Sequence, residues 1–293
     1  MSGPSLAELR AAGQPESVTA RRNEEHWAGR FYMRRLSPYG TWVFARLGWS
    51  PNAVTWLMIG TGVTAAVVLA VPGFASAVAA ALLIQLYLLL DCSDGELARW
   101  SSRTSVMGIY LDRVGHYLAE AALLAGIGVR AQGHFALAGG YVSAGLAAAV
   151  CAILIKAETD NVSVARAKAG LPGLATQDGA VRAGADAPGA AGAGVAGSAA
   201  AAGVAGSAAG AVDAAAEPVS ASLARARRLT AALRLHRMIQ AVELSLLAVV
   251  AAVIDAAYGS LAATRVLVVA CLVVAALMVA AHLTAILASR RLR

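Results

Sequence analysis

Long apolar runs, separated by short polar or turn-forming breaks, occupy most of this 293-residue chain. Each run is close to the roughly 20 residues that an α-helix needs to cross the hydrocarbon core of a bilayer. A backbone in that environment must satisfy its own hydrogen bonds, and a helix does so within one segment. The pattern therefore predicts an all-α integral membrane protein with six transmembrane helices. The predicted spans are residues 53–71, 74–90, 106–129, 135–155, 238–258 and 261–288.

Two of the breaks between spans are too short to hold a separate domain. Pro72-Gly73 separates the first two spans, and Gly259-Ser260 separates the last two. Because Gly and Pro favour turns, each of these pairs is predicted to form a helical hairpin. Before the first span, Ser50 can cap a helix and Pro51 can occupy its first position, so we expect a helix to begin there.

Residues 24–49 combine aromatic and basic side chains at helical spacing. Trp27 and Phe31 are four residues apart, and Tyr39 and Trp42 recur with arginines beside them. This pattern is typical of an amphipathic helix that lies in the membrane interface. Proline lacks the N–H that continues a helix, so Pro38 is expected to break it.

The chain then divides into four parts. Residues 1–50 form a cytoplasmic N-terminal segment, and residues 51–158 hold the first four spans and the candidate site described below. Residues 170–218 are almost entirely Ala, Gly, Val and Ser, a composition with little side-chain surface to bury. Residues 159–235 are therefore predicted to be a flexible cytoplasmic linker, and residues 236–293 the last two spans with a basic tail.

Composition and charge add an environment and an orientation. The chain is 59% hydrophobic and 14% charged, whereas soluble proteins have about 25% charged residues. Its Lys and Arg residues, 24 against 17 Asp and Glu, gather at one set of span ends. Such residues mark the cytoplasmic side, so both termini are predicted to lie in the cytoplasm at the plasma membrane. They form no groove or recognition helix, which favours anionic lipids and no nucleic acid as partners.

Acidic residues at the predicted cytoplasmic ends of the second and third spans are the main candidate for chemistry. Asp91 and Asp94 share one helical face, and Asp112 and His116 share a face of the next helix. A charged side chain at membrane depth costs about 2.5–3.5 kcal/mol on insertion scales, which indicates a function for these carboxylates. Arg99 can bind phosphate oxygens, so the residues together suit a metal-bridged diphosphate.

The spacing of these residues resembles the signature of the CDP-alcohol phosphotransferase family. The matching positions are Asp91, Asp94, Gly95, Ala98, Arg99, Gly108 and Asp112. The six spans, the amphipathic helix before them and the Pro-Asn-x-x-Thr sequence at residues 51–55 are also similar to the family.

The resemblance implies transfer of a phosphatidyl or related phosphoalcohol group from a CDP-linked lipid donor, usually CDP-diacylglycerol, to an alcohol or phospho-alcohol acceptor. CMP would be released on the cytoplasmic side, in phospholipid biosynthesis. By the same resemblance, Asp91, Asp94 and Asp112 bind two divalent ions, Mg²⁺ or Mn²⁺. The family pattern assigns Gly95, Ala98, Arg99 and Gly108 to the cytidine nucleotide pocket, and it implies a homodimer.

The chain departs from the family pattern at its last position. The fourth aspartate, which acts as base on the acceptor hydroxyl and lies beside the metals, is replaced by His116. Three interpretations remain open. In the first, His116 acts as base or metal ligand. In the second, Glu120, one turn further along the helix, takes the missing role or orients the imidazole; in the third, transfer is impaired.

Other readings of the same residues also remain. A family member that binds nucleotide or lipid without turnover would explain His116. An intramembrane prenyltransferase also uses aspartates and Mg²⁺, but those enzymes carry repeated motifs and this chain has one. Arg113 can pair with a motif carboxylate, bind an acceptor phosphate or extend toward the interface.

Overall fold

The computed structural model of the chain describes residues 5–15, 27–134, 138–171 and 235–288. Within these ranges the regular structure is helical and includes no strand, so the predicted all-α fold is confirmed. Most of the predicted linker and the basic tail, residues 172–234 and 289–293, lie outside the described residues. The helices are α1 (Leu6–Gly13), α2 (Arg34–Arg46), α3 (Pro51–Ala70), α4 (Phe74–Trp100), α5 (Val106–Gln132), α6 (Gly140–Lys168), α7 (Ala241–Tyr258) and α8 (Ala262–Ala288).

Five of these helices, α3, α4, α6, α7 and α8, are long and apolar enough to cross a membrane. The described part of the chain therefore contains five candidate spans, and the predicted count of six is not confirmed. The remaining long helix, α5, has 27 residues, but Asp112, Arg113 and Glu120 make its first half polar. Its N-terminus follows the end of α4, and Arg130 near its C-terminus donates to the turn between α3 and α4. This helix thus runs from one end of the bundle to the other.

The predicted hairpin turns and the first helix start are present. Ser50 accepts a hydrogen bond from the Ala53 backbone N–H at 3.2 Å, and Pro51 is the first residue of α3. The helix α3 ends just before Pro72-Gly73, and α7 ends just before Gly259, which adopts φ 62°. A positive φ is left-handed backbone that glycine adopts without the steric cost of a Cβ, so it suits a helix end.

Two helices extend beyond their predicted ends. The helix α4 continues from the apolar run through Trp100, so the residues of the acidic motif lie within the helix. The helix α6 continues through Lys168, so residues 159–168 are helical although they were assigned to the linker. Polar residues end an apolar run without ending a helix, because backbone hydrogen bonds continue through them.

The expected break at Pro38 is wrong. The helix α2 runs from Arg34 to Arg46 with Pro38 inside it, after a π-helical turn at Gly29–Met33. Proline removes the hydrogen bond to the carbonyl four residues earlier, which here belongs to Arg34. Gln14 Nε2 donates to that carbonyl oxygen at 2.8 Å. A side chain from another segment thus satisfies the group that Pro38 leaves unpaired.

Close helix packing forms the bundle. The helix α3 packs against α4 and α5, α5 packs against α6, α6 against α8, and α7 against α4 and α8. Gly128 and Gly145 allow α5 and α6 to approach closely, since a Cβ on Gly145 would lie 2.6 Å from the Leu124 carbonyl oxygen. Small residues at such contacts are the usual means by which membrane helices pack. At the N-terminus, α1 and α2 both lie against α4.

Candidate metal and diphosphate site

Three side chains that could ligate a metal ion meet between α4 and α5. His116 Nε2 lies 3.0 Å from Asp91 Oδ1 and 3.5 Å from Asp112 Oδ1. One donor atom from each of these residues lies within 4.8 Å of the other two. The helix α3 packs against both α4 and α5 and so holds the helices that carry these side chains. Three of the four side chains that were expected to converge are therefore in one cluster.

Asp94 has a different partner. Its side chain is buried, and Thr55 Oγ1 donates to Asp94 Oδ2 at 2.6 Å. The same hydroxyl lies farther, at 3.2 Å, from the Pro51 carbonyl oxygen. A buried carboxylate is costly unless it is hydrogen-bonded, so Thr55 stabilises Asp94 beside the cluster. Thr55 gives a structural reason for the Pro-Asn-x-x-Thr sequence at the start of α3.

Tyr87 contacts the other side of the His116 ring. The Tyr87 hydroxyl lies 2.8 Å from His116 Nδ1, and the two rings meet edge to face with centroids 5.8 Å apart. Tyr87 is buried on α4, one turn before Asp91. Sequence reasoning missed it, and its one signal was a hydroxyl-bearing residue four positions before a motif aspartate.

The two ring nitrogens of His116 therefore have different partners. In a neutral imidazole one nitrogen carries a hydrogen and the other accepts, and a carboxylate can only accept. Facing Asp91 and Asp112 without a cation, Nε2 carries the hydrogen. Nδ1 then accepts from the Tyr87 hydroxyl when the ring is neutral and donates to it when the ring is protonated. When Nε2 serves as base or metal ligand, the hydrogen is on Nδ1 and donates to the Tyr87 oxygen. Tyr87 can stabilise either state because a phenol both donates and accepts.

Glu120 lies on the same helix as His116 but pairs with another residue. Lys156 Nζ on α6 lies 3.0 Å from Glu120 Oε1. Lys156 also lies near the Tyr117 ring, 5.6 Å from its centroid. Among the described contacts of His116, the residue at Nδ1 is Tyr87 and not Glu120.

The salt-bridge partner of Arg113 among the described residues is not a motif carboxylate. Arg113 binds Asp160 on α6, whose other oxygen accepts from the Tyr117 hydroxyl at 2.5 Å. The contacts of Arg113 and Lys156 therefore join α5 to α6 next to the cluster. Both are long-range pairs that helical spacing within one span cannot reveal.

The residues of the expected nucleotide pocket lie around the ends of α4 and α5. The Arg99 guanidinium lies over Gly95, where an added Cβ would be 3.1 Å from Arg99 Nη1. Ala98, which lies between Gly95 and Arg99 in the sequence, is half-buried on α4. At the start of α5, the Gly108 N–H donates to Ser105 Oγ at 3.0 Å, and a Cβ on Gly108 would lie 3.0 Å from Asn52 Oδ1. Both glycines therefore leave room that a larger residue would fill.

The donor set fits a divalent cation. Two carboxylates and one imidazole offer oxygen and nitrogen ligands close enough for one ion to reach all three. Carboxylates suit Mg²⁺ and Mn²⁺, while the imidazole nitrogen shifts the preference toward Mn²⁺. Asp94, held by Thr55 one turn along α4, is the nearby carboxylate that a second ion could use.

A bundle of apolar helices that carries such a cluster defines an integral membrane protein with a candidate cation site. Residues 49–176 match the profile of the CDP-alcohol phosphatidyltransferase family. The matched region extends from the start of α3 to just beyond α6 and contains every site residue above.

A curated relative agrees with this assignment. An archaetidylinositol phosphate synthase of Aeropyrum pernix is 37% identical to this chain over 102 residues, which cover 33% of the chain and 51% of the relative. The chain thus spans about half the length of the curated relative that it matches.

Proposed function

We propose that the chain transfers a phosphatidyl or related phosphoalcohol group from a CDP-linked donor, CDP-diacylglycerol, to an alcohol, as a step in phospholipid biosynthesis. The observation that carries the proposal is the convergence of Asp91, Asp112 and His116 within the region that matches this family. Transfer would proceed in a plasma-membrane protein whose site faces the cytoplasm, where CDP-linked donors are made.

The reaction consists of one displacement at phosphorus. An acceptor oxygen attacks the lipid-side phosphorus of the diphosphate, the bond from that phosphorus to the bridging oxygen breaks, and CMP leaves with that oxygen. Divalent ions, when bound, neutralise the diphosphate and stabilise the leaving phosphate. Asp91, Asp94 and Asp112 hold them, while Arg99 binds phosphate oxygens of the nucleotide.

His116 is assigned the task of the aspartate that it replaces. Its Nε2 faces the carboxylates of both helices, where it can take the acceptor proton or ligate an ion. Tyr87 at Nδ1 fixes the ring orientation that either task needs. Glu120, which already pairs with Lys156, is assigned a supporting role beside the site.

The first acceptor to test is an inositol phosphate, because the relative is named for an inositol phosphate product. Glycerol phosphate, serine and free inositol complete the acceptor panel. A homodimer, as the family resemblance implies, is a further part of the proposal and can be checked by the mass of the purified protein.

The deciding experiment measures CMP release from CDP-diacylglycerol by purified protein with Mg²⁺ or Mn²⁺ and each acceptor. We expect CMP release in wild type and a loss of at least about 100-fold in Asp91→Asn, because the cation loses a charged ligand. His116→Asp, which restores the family pattern, is expected to remain active, whereas His116→Ala is expected to lose activity.

A non-catalytic nucleotide- or lipid-binding protein is the second candidate, and His116 favours it. Intact CMP binding without CMP release from any acceptor would establish that function in place of transfer. Restored release in His116→Asp alone would assign the loss to the histidine.

A further inference from the structure

A second polar cluster lies next to the candidate site and is not part of it. Glu96 on α4 is 3% exposed, and its position falls between Asp94 and Arg99. Gln14 Nε2 donates to Glu96 Oε1 at 2.7 Å, and the Ser37 hydroxyl donates to the same oxygen at 2.5 Å. Thr41 Oγ1 donates to Oε2 at 2.7 Å. A carboxylate this buried is stable only with such partners, and all of them come from the N-terminal segment or α2.

The same N-terminal segment also contacts Arg99 directly. Arg99 Nε donates to the carbonyl oxygen of Gly13, the last residue of α1, at 2.7 Å. Gly13 is buried against Glu96, and a Cβ on Gly13 would lie 3.0 Å from Glu96 Cβ. The end of α1 is therefore docked on α4 through two neighbouring contacts, one to Glu96 and one to Arg99.

Docking of α1 determines how Arg99 can bind a ligand. A guanidinium is planar and carries its donors in a rigid fork, so fixing Nε fixes the plane of the whole group. With Nε bound to Gly13, the two terminal nitrogens remain beside Gly95, next to Asp94. An arginine that is already oriented loses less conformational entropy when it binds a phosphate.

We propose that α1 is a positioning element for the nucleotide, with Gln14 and Glu96 as positioning residues. Gln14 and Glu96 dock α1 on α4, and the docked Gly13 carbonyl orients Arg99 toward the phosphates of the CDP-linked donor. This inference rests on the proposed function, because it assumes a nucleotide diphosphate at Arg99.

Thermodynamic reciprocity follows from this arrangement. If docked α1 strengthens nucleotide binding by a given factor, bound nucleotide must favour docking of α1 by the same factor. Nucleotide binding and amide protection in α1 are therefore two independent readouts of one coupling.

The first test compares Gln14→Ala with wild type and with Arg10→Ala, an exposed position on the same helix. The full chain is used, and CMP affinity is measured in the presence of Mg²⁺. We expect Gln14→Ala to weaken CMP binding about 10-fold, within the usual range of coupling between sites. Its KM for the CDP-linked donor rises to match, while kcat and the acceptor KM stay within about twofold. Arg10→Ala is expected to match wild type.

The second test follows hydrogen exchange of the α1 amides. CMP should raise their protection in wild type, and Arg99→Lys should lower it even without nucleotide, because lysine keeps the charge but lacks Nε. Equal CMP affinity in wild type and Gln14→Ala, or α1 protection unchanged by both CMP and Arg99→Lys, would overturn the positioning role and leave the proposed function intact. Absence of CMP binding in wild type would instead contradict the proposed function and this inference with it.

Discussion

His116 occupies the position of a motif aspartate, and its side chain still lies among the carboxylates of the candidate site. Its Nε2 lies among the carboxylates, and its Nδ1 has a partner of its own in Tyr87. An aspartate has no atom equivalent to Nδ1, so Tyr87 is useful here because the residue is a histidine. This coupling makes a prediction that depends on both side chains together.

Tyr87→Phe removes the hydroxyl and keeps the ring. We expect a loss of CMP release of about 10- to 100-fold, the usual effect of removing a hydrogen-bond partner behind a metal-facing histidine. In a His116→Asp background the same change should have little effect, since no Nδ1 remains to orient. Tyr110→Phe, at an exposed position on α5, is the matched control. Equal losses in both backgrounds would contradict the proposed coupling and indicate a general packing defect.

Thr55→Val removes the hydroxyl that donates to Asp94 and keeps the shape of the side chain. A hydrogen bond to a charged group contributes about 1.5–3 kcal/mol, so the carboxylate should bind cations less well. We expect the Mg²⁺ concentration for half-maximal CMP release to rise about 10-fold or more. Thr55→Ser retains the hydroxyl and should behave as wild type. If Thr55→Val leaves the Mg²⁺ requirement unchanged, Asp94 is not part of the cation site.

At the scale of helices, Arg130 links α5 to the end of α3. Its guanidinium donates to the Val71 carbonyl at 2.8 Å, the Gly73 carbonyl at 2.6 Å and the Ser76 hydroxyl at 3.0 Å. The last carbonyls of a helix have no partner within it, so Arg130 acts as a cap supplied by another helix. The charged group of Arg130 thus stabilises the fold, and it lies far along α5 from His116.

Arg130→Met should remove the guanidinium hydrogen bonds to those carbonyls, which then rely on the Ser76 hydroxyl, a donor to both. We expect stability to fall by about 1.5–3 kcal/mol. The change is measured as a lower thermal midpoint of the purified protein. Arg265→Met, an exposed arginine at the same end of the bundle, provides the control and should shift the midpoint less. If Arg130→Met has the same midpoint as wild type, then other groups, such as water or lipid, form hydrogen bonds with the carbonyls of the turn equally well.

Helical spacing was enough to predict which side chains share a face, and the structure brings Asp91, Asp112 and His116 together accordingly. The spacing could not reveal Tyr87 at His116 or Lys156 at Glu120, because each pair joins two different helices. The expected break at Pro38 failed for the same reason, since its compensating donor, Gln14, comes from a distant segment. The local sequence pattern thus predicts which side chains share a helix face and where turns fall. Which side chains of different helices contact each other depends on how the helices pack.

At the scale of the whole molecule, the helix order fixes which loops share a side of the membrane. The turns at residues 71–73 and 259–261 lie at one end of the bundle, where Arg130 and Ala131 contact them or their neighbours. The turn at residues 101–105 lies at the other end, with the candidate site. The proposed orientation places the first end outside the cytoplasm.

Labelling of single cysteines tests this orientation. In a chain with Cys92, Cys151 and Cys271 replaced by alanine, Ser260→Cys should react with a membrane-impermeant maleimide in intact cells. Ser102→Cys should react only after the membrane is opened, because the proposed orientation places its turn in the cytoplasm. The reverse pattern would invert the topology, and labelling of both positions in intact cells would contradict α5 as a span.

The packing of α7 against α4 also has a consequence for biosynthesis. The ribosome completes α4, α5 and α6 well before α7, so Asp91, Asp112 and His116 can meet while the chain is still being made. One face of α4 must meanwhile remain against lipid or an insertion factor until α7 arrives. A chain that stops before α7 would therefore hold its candidate cation ligands together and still present an uncovered face of α4 to the proteases that remove incomplete membrane proteins.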